Sequence, residues 1–126
     1  MRKIGALVGE TSPLEALMVS AEAPRPGQYL LVLWDDEGRQ RRALALVQEV
    51  RRSNPFLEEG ITDPEHARRI MDLEGWSSAF RAKLLIVGEL DEGLQMPHTP
   101  PVPGAEVYEV DEGVLREALG SGGEGL

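Results

Sequence analysis

A chain of 126 residues, 41% of them hydrophobic and none a cysteine, is long enough for one domain with its own core, and it excludes disulfides, thiol catalysis and thiolate metal sites. Its formal net charge of −9 opposes a general affinity for phosphate backbones, because such affinity depends on clustered Lys and Arg. No apolar run approaches the length that spans a bilayer and no basic-then-apolar leader opens the chain, so a cytoplasmic location with no membrane contact is expected.

In chain order, Ile4–Val8 and Glu15–Val19 predict two strands flanking the turn Gly9-Glu10-Thr11-Ser12-Pro13. Pro24-Arg25-Pro26-Gly27 then delivers the chain into Tyr29–Trp34, a continuous apolar run. A second run, Ala43–Val50, follows after Asp35-Asp36-Glu37-Gly38, which has the composition of a hairpin turn. Arg51-Arg52-Ser53-Asn54-Pro55-Phe56 ends this strand with two cations and a proline-fixed turn. Thr62 and Glu65 form a capping box around Pro64, predicting a helix that buries Ala67, Ile70 and Met71 and stops at Gly75. Phe80–Leu90 carries the clearest period of two, with Phe80, Ala82, Leu84 and Ile86 on one side and Arg81 and Lys83 on the other.

The stretch from Leu94 to Tyr108 cannot be helical, because it holds Pro97, Pro100, Pro101 and Pro103. Met96 to Pro103 is expected to run as a stiff extended arm, turn at Gly104 and enter a strand over Glu106–Val110. A short helix capped by Asp111 then buries Val114, Leu115 and Ala118 before Gly120. Residues 120–126 read as a glycine-rich linker or a cut end. The fold class is therefore mainly β: a small closed six-stranded barrel over residues 1–119, with a helical insertion at about 54–78 and a short C-terminal helix. The insertion either protrudes or plugs one end of the barrel.

Little in the sequence points to chemistry. No Gly-Lys-Ser or Gly-Lys-Thr occurs, and the glycines do not form a dinucleotide fingerprint. His66 and His98 lie in different elements without a companion cluster, the first reading as a surface residue and the second as part of the arm. Asp35, Asp36 and Glu37, like Glu58 and Glu59, have the look of solvated turn carboxylates, while Thr11 and Ser12 have no evident base. No catalytic residue, cofactor ligand or metal ligand is assigned. Arg51, Arg52, Asn54, Pro55 and Phe56 form one candidate protein interface, with Phe56 as anchor or, equally, folded into the core. Pro97, His98, Pro100, Pro101 and Pro103 form the other.

The segments Ile4-Gly5-Ala6-Leu7-Val8-Gly9-Glu10-Thr11-Ser12-Pro13, Pro26-Gly27-Gln28-Tyr29, Arg52-Ser53-Asn54-Pro55, Val87-Gly88-Glu89-Leu90 and Pro97-His98-Thr99-Pro100-Pro101-Val102-Pro103-Gly104 resemble, in order, the N-terminal barrel of the HerA family. Members are hexameric, FtsK-like DNA-translocating ATPases, and the barrel is called the HAS barrel for its similarity to the N-terminal barrels of ATP synthase catalytic subunits. The resemblance implies a role in assembling a ring of subunits and docking the nuclease NurA in recombinational repair. ATP, Mg and DNA would then belong to an ATPase core whose Walker motifs this sequence lacks. The proline arm, already extended when free, is expected to cross the barrel surface or a neighbouring subunit at low entropic cost. The alternatives are a free-standing adaptor barrel and a nucleic-acid-binding barrel; the latter is opposed by 5% aromatic residues and the negative charge.

Overall fold

The computed structural model describes residues 1–53, 79–91 and 93–120. The helix expected after Thr62 and the insertion at 54–78 lie outside the described residues, as do residues 121–126. Seven strands are described: β1 (Lys3–Val8), β2 (Glu15–Ser20), β3 (Tyr29–Asp36), β4 (Arg39–Ser53), β5 (Ala79–Leu90), β6 (Leu94–Gln95) and β7 (Glu106–Glu109). They are followed by α1 (Glu112–Leu115) and a π-helical turn, Arg116–Gly120.

Hydrogen bonding runs β2-β1-β7-β3-β4-β5, and β5 then pairs with β2, so six strands close into an antiparallel barrel while β6 adds to β5 outside it. The closing seam runs from Glu15 opposite Leu85 to Ser20 opposite Phe80. Closure leaves no long unpaired edge among these strands. The six strands match the sequence expectation, but β4 is longer than the apolar run Ala43–Val50, and the two-residue β6 lies inside what reads as the arm.

A six-stranded barrel has a narrow interior, and its lining residues are accordingly small or slender. Ala43, Ala45 and Ala82 are fully buried beside Leu30, Val32, Val47, Leu84 and Val107. Gly5 extends this economy: its missing side chain lets the buried Met18 of β2 lie against the backbone of β1. Two irregularities in the β4–β5 register, at Val87 and at Gln48, shift which residues face inward. After Gln48 it is Val50, not Glu49, that packs against the core.

The hairpin between β3 and β4 turns on Glu37 and Gly38 alone, both with positive φ (52° and 82°), because Asp36 already pairs with Arg39. Positive φ at both central residues is what the right-handed twist of a two-residue hairpin demands.

The unbroken hydrophobicity of Tyr29–Trp34 has a simple cause. Leu30, Val32 and Trp34 fill the barrel, while Tyr29, Leu31 and Leu33 belong to a second cluster outside it, with Leu44, Leu90, Val114 and Ala118. The C-terminal helical segment thus packs on the outer wall. Asp111 caps α1 as expected, its Oδ1 accepting the Val114 N–H at 2.9 Å. Val114 and Ala118 are buried, but Leu115, which the sequence pattern also places in the core, is only half-buried. The switch from α to π geometry at Arg116 alters the angular spacing on which that expectation rested.

Candidate protein-docking site

The proline arm is a strap across one end of the barrel. β1 ends and β2 begins at this end, as β3 turns into β4. Three attachments hold it. The Thr99 N–H donates to Glu89 Oε1 at 3.3 Å, the Thr11 hydroxyl donates to the Pro101 carbonyl, and beyond Pro103 the Gly104 N–H donates to the Leu7 carbonyl at 2.8 Å. The Leu7 N–H returns a bond to the Ala105 carbonyl at 2.9 Å, so the strap feeds directly into the barrel wall at β7. Gly104 makes the turn with φ of 92°, a conformation disfavoured for residues with a side chain.

Beneath the strap sits an ionic cluster. Arg41 donates from Nε to Asp36 at 2.8 Å and from Nη1 to Glu89 Oε2 at 3.0 Å. The Glu89 side chain is 11% exposed, so one carboxylate links the barrel's charge pair to the strap backbone. Its two partners offset the cost of burying it. Replacing Glu89 by Ala strands the Thr99 N–H and leaves Arg41 with Asp36 alone. The expected loss is about 2 kcal/mol in urea unfolding, with faster hydrogen exchange at Thr99 and a smaller loss for Glu89→Gln. An unchanged unfolding midpoint would show that the strap is held elsewhere.

The strap's side chains alternate. Pro97, Thr99 and Pro101 turn toward the barrel and Pro101 is fully buried, whereas Met96, His98, Pro100 and Val102 are exposed. Of the arm residues singled out in the sequence, His98 and Pro100 therefore lie on the surface with Pro103, while Pro97 is half-buried. Pro101 packs its side chain against its own barrel. The arm lies across its own barrel.

The second candidate patch sits at the opposite end, where β4 finishes, so the structure does not unite the two. Arg51 pairs with Glu49 of its own strand at 2.8 Å, and Arg52 lies over the ring of Phe80, 5.2 Å from its centroid. Arg52 and Phe80 are direct cross-strand partners. Arg52 thus has an aromatic companion in Phe80, which the sequence pattern places on the same side of its strand as Ala82, Leu84 and Ile86; Asn54, Pro55 and Phe56 lie outside the described residues. Both arginines are exposed, and water screens the Arg51 pair.

Sequence reasoning missed Thr11, Arg41 and Glu89 as organisers of the strap. Glu89 lies in one of the segments that carry the family resemblance, but residue patterning shows of it only a position at the end of an otherwise alternating strand. Among the described residues no group of three or more His, Asp or Glu converges in a way that could hold a metal ion, and no helix is long and apolar enough to cross a membrane.

No protein-family model matches the chain. Its curated relatives are helicases. The protein named "Probable helicase MJ1565" of Methanocaldococcus jannaschii is 31% identical over 125 residues, a match covering 94% of this chain and 23% of that protein. The DNA double-strand break repair helicase HerA of Saccharolobus solfataricus is 25% identical over 122 residues (96% of this chain, 24% of that protein), and that of Sulfurisphaera tokodaii 30% over 105 residues (82% and 20%). The chain spans less than a quarter of the length of these relatives. It is homologous, over nearly all of its own length, to a segment of the HerA-family helicases.

Proposed function

We propose that this barrel is the N-terminal assembly and partner-docking domain of a HerA-like DNA-translocating ATPase, which forms a ring and acts with a NurA-type nuclease in DNA end resection and recombinational repair.

 The observation that carries this reading is the collinear match of an almost complete closed barrel to a small part of each helicase. The charge of the chain supports it: a net −9 over its 126 residues is suited to protein contacts and leaves DNA to a basic channel elsewhere in the ring. On this reading ATP, Mg and DNA are handled by the ATPase core and not by these residues. The test is to delete residues 1–119 from the full-length helicase. The remaining core should still hydrolyse ATP, lose co-elution with its nuclease, and shift from hexamers toward smaller species in native mass spectrometry. Undiminished nuclease binding and intact hexamers after the deletion would overturn the reading.

A further inference from the structure

We infer that the outward row of the strap, Met96, His98, Pro100 and Val102, is a preformed ridge that docks the nuclease partner, and that the receiving groove on that partner is apolar along its floor and basic at its ends. The inference rests on the docking role proposed above and adds the surface and the chemistry of its complement.

Three observations carry it. The first is exposure: Met96 is 74% exposed and Val102 46%, two of the few large apolar side chains that the described part of the barrel leaves in water. They share one side of the strap with His98 and Pro100, because burial alternates along the segment. The second is rigidity. Four prolines restrict the backbone, and the anchors at Glu89, Thr11 and Leu7 fix it to the barrel, so little conformational entropy remains to be lost when a partner covers the ridge. An extended segment with stiff, projecting side chains is also what apolar peptide-binding grooves accept.

The third is charge. The ridge carries no carboxylate, yet acids stand at both ends: Glu10 beside Thr11, whose hydroxyl holds Pro101, and Asp91, whose carbonyl accepts from the side chain of Gln95, next to Met96. Arg39 reaches Asp91 only at 3.6 Å, with both side chains about two-thirds exposed, so this pair is well screened by water. A groove with Lys or Arg at its two ends complements this pattern, whereas a second copy of this acidic chain does so poorly.

The test uses the full-length helicase and its nuclease. A photo-crosslinking amino acid placed at position 96 or 102 should capture the nuclease, while the same group at Glu49, on the outer wall toward the other end of the barrel, should not. Met96→Glu with Val102→Glu should weaken nuclease binding at least tenfold without moving the thermal unfolding midpoint, since both side chains are already exposed. Glu10→Lys should weaken binding at low salt, the difference fading as salt is raised. Crosslinks from 96 and 102 to a second copy of the chain, or unchanged nuclease affinity in the double variant, overturn the inference while leaving the docking role in place. Absence of nuclease binding by the unaltered protein overturns both.

Discussion

Gly5→Ala should destabilise the barrel by about 3 kcal/mol, lowering its melting temperature by roughly 10 °C, although the added group is a single methyl. A Cβ built on Gly5 would lie 2.5 Å from the carbonyl oxygen of Val19 and 3.0 Å from Cγ of Met18. The side chain can shift, but the carbonyl belongs to β2, which is paired to β1 on one side and to β5 along the closing seam on the other. Moving it displaces a strand that two ladders hold, so the methyl cannot be absorbed locally. Shortening Met18 in the double variant Gly5→Ala, Met18→Ala should therefore fail to restore stability. Recovery to the level of Met18→Ala alone would place the clash in the side chain and remove the argument from the closed backbone. Circular dichroism melts of the three variants decide between these outcomes.

The parts of this fold that were legible in the sequence are those whose signal is local. The turn at Glu37 and Gly38, the alternation from Phe80 to Ile86 and the Asp111 cap each depend on residues within a few positions of one another. The missing parts depend on partners distant in the chain. Arg39, Gln40, Arg41 and Arg42 carry no apolar pattern, yet they extend β4 because Asp36, Asp35, Trp34 and Leu33 stand opposite them. The bulge at Gln48 breaks the period of two, so Val47 and Val50 face the same core across an odd interval. β6 is two residues long and can give no periodic signal at all; it exists because Gly88 on β5 lets Leu94 and Gln95 approach more closely than any side chain would allow.

The candidate site divides the same way. Four prolines made the extended arm legible, since their restrictions are intrinsic. Which of its side chains face outward was not, because that is fixed by Thr11 and Glu89, 90 and 10 residues away from the atoms they hold. Glu89 reads as an ordinary surface acid until Arg41 is seen beside it. The resemblance of the ordered segments to the HerA family reached further than the residue patterns, and the relatives bear it out at the level of family and barrel.

Val114→Asp should cost about 3 kcal/mol and expose an apolar patch while leaving the barrel itself folded. Val114 is sealed in the outer cluster against the barrel wall, with Leu31 and Leu44 fully buried in the same cluster. A carboxylate there has two outcomes, both unfavourable. If the helix stays docked, an unpaired charge is buried; if it lifts, Leu31 and Leu44 lose their cover, at roughly 1.5–3 kcal/mol for a fully exposed leucine. Lifting is the easier course, because one turn of α-helix has little stability of its own. Besides the apolar contact, the segment is tied down by Glu117, which takes two hydrogen bonds from Arg42 at 2.6 and 3.0 Å. Those bonds hold the Glu117 carboxyl below its ordinary range. A depressed folded-state pKa stabilises above the unfolded value and ceases to do so as pH falls through the folded one, so acid should loosen this segment further. Val114→Asp is therefore expected to bind a hydrophobic dye such as ANS at neutral pH while keeping its β-sheet circular dichroism, and the unaltered chain to begin doing so only on acidification below the ordinary carboxylate range. Loss of the β-sheet signal in the variant at neutral pH would show instead that the outer helix is required for the barrel to close.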